Sequence, residues 1–285
     1  MISDLAGPPT RFIRASRLGL ALGAATLVMS AQAEDVFTAA GSSAAAITSA
    51  ITDFRNALGT LNPNQAGSFG TGRREINWDG VPDNRSAPNL LPADFFNVNS
   101  PRGAVFSTPG SGMEVSATAA SGTPVQFGNI DAAYPGLFEP FSPQRLFTAV
   151  GSNVVDVDFF VAGTTQAALT RGFGAVFSDV DSATSTVLSF FDLSHNPMGT
   201  YAVPAAGGNE GFSFLGVDFG TASVARVRIT SGNQALAAGT TTEDLVTMDD
   251  FIYGEPIPAV PEPGIAALMV AGIGILGAVV RRRRG

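Results

Sequence analysis

The sequence predicts a mainly β chain: an antiparallel two-sheet sandwich preceded by one helix and framed by an apolar segment at each end. Three observations carry this. The 285 residues include 33 Gly and 18 Pro, too many for a mainly helical protein. From Gly103 onward, short apolar segments recur between Gly, Pro, Asn and Ser, several alternating with a period of two. Only Ala44 to Leu58 offers a good helical stripe. Composition also excludes several chemistries. There is no Cys, so disulfides, thiolate zinc sites and thiol catalysis are out, and the single His rules out a multi-histidine metal cage. All sixteen cations are Arg, so Walker A phosphate binding and Schiff-base chemistry have no lysine to use.

In chain order, residues 1–33 read as an export signal. Arg11, Arg14 and Arg17 form a basic start, Leu18 to Met29 is an apolar stretch too short to span a bilayer, and Ala31-Gln32-Ala33 supplies a small-x-small cleavage pattern. Cleavage there starts the mature chain at Glu34; the alternative is a retained N-terminal anchor. Residues 34–62 follow as a helical segment in which Ile47, Ile51, Phe54 and Leu58 form one stripe, with Gly59 as its C-cap. Asn62 to Pro101, rich in Pro, Gly and Asn, reads as loop or short strand.

The β domain, residues 63–255, holds nine clear strand segments: 104–107, 113–117, 145–150, 154–161, 173–180, 186–192, 212–219, 224–230 and 245–253. Asp156 and Asp158 alternate with Val155, Val157 and Phe159, as Arg226 and Arg228 do with Ala225, Val227 and Ile229, the pattern of half-buried strands. Nine such segments without a fixed-period repeat predict a jelly-roll-like sandwich. Residues 34–259 hold 9 Arg against 22 acids, a balance of −13. Such a surface repels nucleic acid and suits divalent cations or neutral polymers.

A linker, residues 256–263, contains Val260, Pro261, Glu262 and Pro263 and leads into residues 264–285. There an uncharged run from Gly264 to Val280 ends in Arg281, Arg282, Arg283 and Arg284. As a helix this run is about 25 Å long, a marginal transmembrane span, and the terminal arginines orient it with its tail in the cytoplasm and the body outside. The Pro-Glu-Pro motif, short apolar helix and Arg cluster together resemble the PEP-CTERM sorting signal of Gram-negative bacteria. That resemblance implies an exosortase-type sorting protease as partner, a transient stay in the inner membrane, cleavage near the motif, and delivery to the cell surface or extracellular matrix. The alternative is a plain single-pass anchor.

Within the body, Gly172 to Asp181, Phe214 to Val217 and Met248 to Phe251 resemble jelly-roll domains of exported bacterial proteins, some of which bind carbohydrate. Asp179 and Asp181 flank Val180 at the end of an expected strand, where alternation puts them on one face, and Asp249 and Asp250 lie among core-like residues of the last expected strand. These four are candidate ligands for calcium, whose all-oxygen coordination they suit and whose structural presence the jelly-roll resemblance implies. The alternatives are solvated turn acids and Arg-paired acids. Glu75, Trp78 and Asp79, beside Arg73 and Arg74, are the candidate ligand-binding cluster: the indole for stacking on a sugar, the carboxylates as a potential glycosidase pair. Their alternative is an Arg–Glu pair with Trp78 covering the sandwich.

His195 sits beside Ser194 in a hairpin-like turn, the wrong basis for a triad. No catalytic residue is expected. The functional expectation is a non-enzymatic, surface-sorted matrix protein associating with extracellular polysaccharide, with no nucleic-acid partner. A secreted carbohydrate-active hydrolase and a protein-binding adhesin are the alternatives.

Overall fold

The computed structural model describes residues 34–259. The expected signal peptide and its cleavage site, the residues Val260 to Pro263 and Arg281 to Arg284, and the apolar segment between them lie outside the described residues. In chain order the elements are β1 (Asp35–Gly41), α1 (Ala44–Leu58), β2 (Arg73–Ile76), α2 (Phe95–Val98), β3 (Ala104–Ser107), β4 (Gly112–Val115), β5 (Phe147–Val150), β6 (Val154–Phe159) and β7 (Ala168–Leu169). There follow β8 (Gly172–Ser178), β9 (Val187–Phe191), β10 (Pro197–Ala202), β11 (Phe212–Asp218), β12 (Arg226–Thr230), β13 (Thr247–Gly254) and β14 (Ile257–Pro258). No helix among the described residues is long and apolar enough to cross a membrane.

Two antiparallel sheets face each other. The larger runs β1-β11-β8-β13-β5-β4 with β2 also paired to β13, and the smaller runs β10-β9-β12-β6-β3. Alternation aims one set of side chains from each into a shared core. Phe147, Phe173, Phe177, Phe251 and Tyr253 from the larger sheet meet Phe106, Val157, Phe159, Phe190 and Ile229 from the smaller. Aromatic pairs bridge the layers, such as Phe106 on Phe147 at 5.4 Å and Phe159 on Tyr253 at 5.3 Å between ring centroids. A smaller apolar cluster of Phe127, Tyr134, Phe138, Leu146, Leu236 and Leu245 holds the long connection before β5.

The helix spans the expected residues, and its stripe of Ile47, Ile51, Phe54 and Leu58 is fully buried. It packs on the outer face of the larger sheet against Val176, Phe212, Phe214 and Ile252. Gly59 ends it at φ 98, its N–H donating to the Arg55 carbonyl at 3.1 Å. Two strand glycines make room for the Phe54 ring: a Cβ on Gly216 would stand 2.8 Å from its Cγ, and one on Gly174 2.9 Å from its Cε1. Gly216→Ala is therefore expected to destabilise the fold by about 1–3 kcal/mol, by overpacking against a ring with no free side to move to. Urea unfolding measures this, and an unchanged midpoint would show that the helix can lift off the sheet at little cost.

All nine expected strand segments form, most one or two residues shorter than expected. Five others lack a clear pattern. β1 precedes the helix and pairs with β11 from Asp35↔Asp218 to Gly41↔Phe212, so residues 34–62 contribute an edge strand as well as a helix. Its adjacent Val36 and Phe37 and its paired alanines do not alternate. β14 pairs with β7, so Ile257 and Pro258 belong to a small sheet and not to a free linker.

On the outer face of the smaller sheet, the alternating charges become cross-strand partners. Arg226 lies opposite Asp158 and Arg228 opposite Asp156, each guanidinium forking onto its carboxylate at 2.7 and 2.8 Å.

Candidate functional site

A polar cleft forms where the end of α1, β2 and β13 meet. Alternation in β2 sends Arg74 and Ile76 into the sandwich and leaves Arg73 and Glu75 partly exposed. β13 carries a bulge between Met248 and Phe251, which places Asp249 and Asp250 in the irregular step of the strand. Arg55, in the last turn of α1, joins the two. Its Nε and Nη2 donate to the Glu75 carboxylate at 3.0 and 2.8 Å, and Nη2 reaches Asp250 at 3.4 Å. Arg73 donates to Glu75 from the other side at 2.6 Å. A cleft of about 520 Å³ opens here, lined by Arg55, Glu75, Asn77, Arg102 and Asp250 with the 61–64 loop.

The acids of the bulge are buried and held by a neighbouring loop. Asp249, 0% exposed, accepts the backbone N–H of Phe141 at 2.6 Å and of Ser142 at 3.1 Å. The Ser142 hydroxyl bridges Asp249 and Asp250, at 3.1 and 2.7 Å. Burial pushes the Asp249 carboxyl well above the usual carboxylate range, and the charge of Asp250 pushes the same way. Asp250 is also raised by burial, opposed by the Ser142 hydrogen bond and by Arg55.

The expected ligand-binding cluster is divided. Glu75 lines the cleft. Asp79 holds the main chain instead, accepting the N–H groups of Gln144 and Arg145 at 2.6 and 3.3 Å. The stacking role expected of Trp78 is corrected: the residue is 1% exposed and no sugar can reach it. Its ring stacks on Phe147 at 4.0 Å and meets Phe96, Phe106 and Phe251 at angles, while its Nε1–H donates to the Asp249 carbonyl at 3.0 Å. The flanking charges, typical of a surface segment, concealed a single inward turn at φ 65.

The four candidate calcium ligands likewise fall into two groups. Asp249 and Asp250 belong to the cleft, whereas the charges acting on Asp179 are Asp181, Asp244 and Glu210. The expectation that Asp179 and Asp181 share one strand face also fails. β8 stops at Ser178, and Asp179 turns out of extended conformation at φ 71, becoming buried while Asp181 is exposed. No group of three or more acids or histidines among the described residues stands ready-made to ligate a metal.

Arg55, Asn77, Ser142 and Arg102 were not legible as site residues. The one available signal was Arg55, the only cation of α1, in its last turn and off the apolar stripe. His195 sits at φ 63 in the β9–β10 hairpin, where Asp192 accepts the N–H groups of Ser194 and Asn196 at 2.8 Å each; it is a turn residue.

Comparison with known proteins bears on the C-terminal end. The PEP-CTERM protein-sorting motif matches residues 259–284, the segment holding Val260 to Pro263 and the four terminal arginines. No curated protein matches the sequence. Among solved structures, the chain is similar to the enzymatically active domain of tailspike protein 4 of bacteriophage CBA120, at 16% identity and a TM-score of 0.26. The similarity covers 65% of this chain and 22% of that one, so the chain spans less than a quarter of its length. The chain carries a PEP-CTERM sorting motif behind a mainly β, antiparallel body; such motifs mark exported proteins of Gram-negative bacteria that pass through a membrane-anchored sorting intermediate and are processed by exosortases.

Proposed function

We propose that this is a non-enzymatic component of the extracellular matrix, whose jelly-roll-like body associates with exopolysaccharide after sorting. The observation that carries the reading is the sorting motif at 259–284, which addresses the body to the cell exterior. In this reading residues 1–33 are a cleaved signal peptide and 264–285 a transient inner-membrane helix. The polar cleft supplies the contact surface: guanidinium, carboxylate and amide groups on an open groove can donate to and accept from sugar hydroxyls. The state of the acids favours binding over hydrolysis. Glu75 is forked by Arg55 and flanked by Arg73, and Asp79 holds two backbone N–H groups, which leaves neither of these two carboxylates free to act as half of a glycosidase pair.

The purified full chain, in mild detergent, is expected to be retained by the producing cells' exopolysaccharide, with Glu75→Gln combined with Asn77→Ala reducing retention. Absence of retention, in calcium and in chelator alike, would remove the glycan reading. Release of reducing sugar by the wild type, lost in Glu75→Gln, would favour a hydrolase. Binding to cells stripped of glycan would favour an adhesin.

A further inference from the structure

We propose that the end of the sandwich where the β8–β9, β10–β11 and β12–β13 connections meet is a calcium site, centred on Asp179 and completed by Asp181, Glu210 and Asp244. This does not depend on glycan binding, and it replaces a four-aspartate site with a different set of residues. Asp179 is 4% exposed, and its Oδ1 has neither solvent contact nor a hydrogen-bond donor. A buried carboxylate oxygen without a partner is costly, and the groups around it make matters worse. Asp181, Asp244 and Glu210 are all acids, and no arginine is among the charges that act on Asp179. Burial and these three acids push its carboxyl up to about 7.

The three connections are already tied through the same acids. The Asp179 N–H donates to the Gly211 carbonyl at 2.9 Å, and the Gly208 N–H donates to Asp181 Oδ1 at 3.1 Å. Asp244 accepts the N–H groups of Asp181 and Ser182 at 3.0 and 3.2 Å, and the hydroxyl of Ser185. The Asp179 backbone and the Asp244 carboxylate are thus held, whereas Asp181, tied by one oxygen to Gly208, and Glu210 are exposed. Closing the site takes a swing of those two side chains, which the absence of a ready-made ligand set requires. Calcium is the cation that fits: it accepts six to eight oxygens in flexible geometry, with carbonyls and waters completing the carboxylates.

Calorimetric titration and thermal melts of the full chain test the proposal. The wild type is expected to bind one calcium, with an affinity in the range of extracellular modules, about 0.1–1 mM, and to melt several degrees higher when loaded. Asp179→Asn is expected to lose both effects while melting higher than the wild type without calcium, because it removes the unpaired charge. Glu210→Gln, at an exposed position, is expected to weaken binding several-fold and decides the matter if Asp179→Asn does not fold. Asp250→Asn is expected to change neither. No wild-type binding at about 10 mM calcium, well above that range, would overturn the proposal. So would binding that survives in both Asp179→Asn and Glu210→Gln, or binding lost only in Asp250→Asn. Calcium binding without exopolysaccharide retention would leave this site standing and remove only the glycan reading.

Discussion

Replacing Glu255 with glutamine is expected to lower the unfolding free energy by about 3–5 kcal/mol, because it leaves a fully buried guanidinium without its anion. Arg74 and Glu255 have side chains 0% and 1% exposed. The Arg74 Nε and Nη2 donate to the two carboxylate oxygens at 2.6 and 2.9 Å. The rest of the guanidinium gathers the irregular 62–70 stretch: Pro63, Gln65 and Gly67 present carbonyls to it, Pro101 adds a fourth at 3.2 Å, and Phe69 lies across it at 5.1 Å. Glu255 also accepts from the same loop, from Asn62 Nδ2 at 2.8 Å and the Phe69 N–H at 3.2 Å. The pair therefore does for this loop what hydrogen-bonded strands do for the rest of the body. Urea unfolding of Glu255→Gln against wild type measures the loss. Glu75→Gln is the control, since its pairs with Arg55 and Arg73 are partly exposed, and should cost less than Glu255→Gln. Equal effects of the two variants would mean that the four carbonyls satisfy Arg74 without the anion.

Trp78→Ala is expected to cost about 3–5 kcal/mol, the usual loss for truncating a buried large aromatic. At about 2–4 °C per kcal/mol for a body of this size, the melting temperature should fall by roughly 6–20 °C. The indole touches four phenylalanines from both layers, and its N–H caps the carbonyl of Asp249 in the β13 bulge, so truncation opens a cavity and frees a buried acceptor. Because Trp78 is the only tryptophan, its fluorescence reports on this directly. Emission should be blue-shifted, resist acrylamide, and stay unchanged when exopolysaccharide is added. Quenching by added glycan would return the indole to the binding surface.

The limits of legibility follow from the kind of signal each element leaves. Helix α1 was readable to the residue because one buried face imposes a 3.6-residue repeat. The strands of the shared core were readable because burial on one side imposes alternation, and the Asp156/Asp158 and Arg226/Arg228 patterns even anticipated an outward face. β1 was not, since an edge strand of small and adjacent apolar residues obeys neither rule. Trp78 was misjudged for a related reason: charges beside it mark a surface segment, and one left-handed residue reverses its side chain without altering the composition. The candidate site was visible only in part. Glu75 and Asp250 could each be singled out, yet nothing local shows that Arg55, 20 and 195 positions away, would hold both.

By itself the sequence determined the mainly β class, the one long helix among the described residues with its buried face, and the C-terminal sorting motif. Those properties depend on periodicity or on contiguous residues, which a chain displays before it folds. Only the tertiary structure decided which acids stand together, which are already neutralised and which is left without a partner. Asp79, Asp179 and Asp249 are the same residue type, each next to an apolar residue along the chain. One became a cap for two backbone amides, one a buried carboxylate among acids, and one the anchor of a loop. What separates them is burial and the neighbours supplied by distant strands, and a carboxylate's charge is governed by those two things.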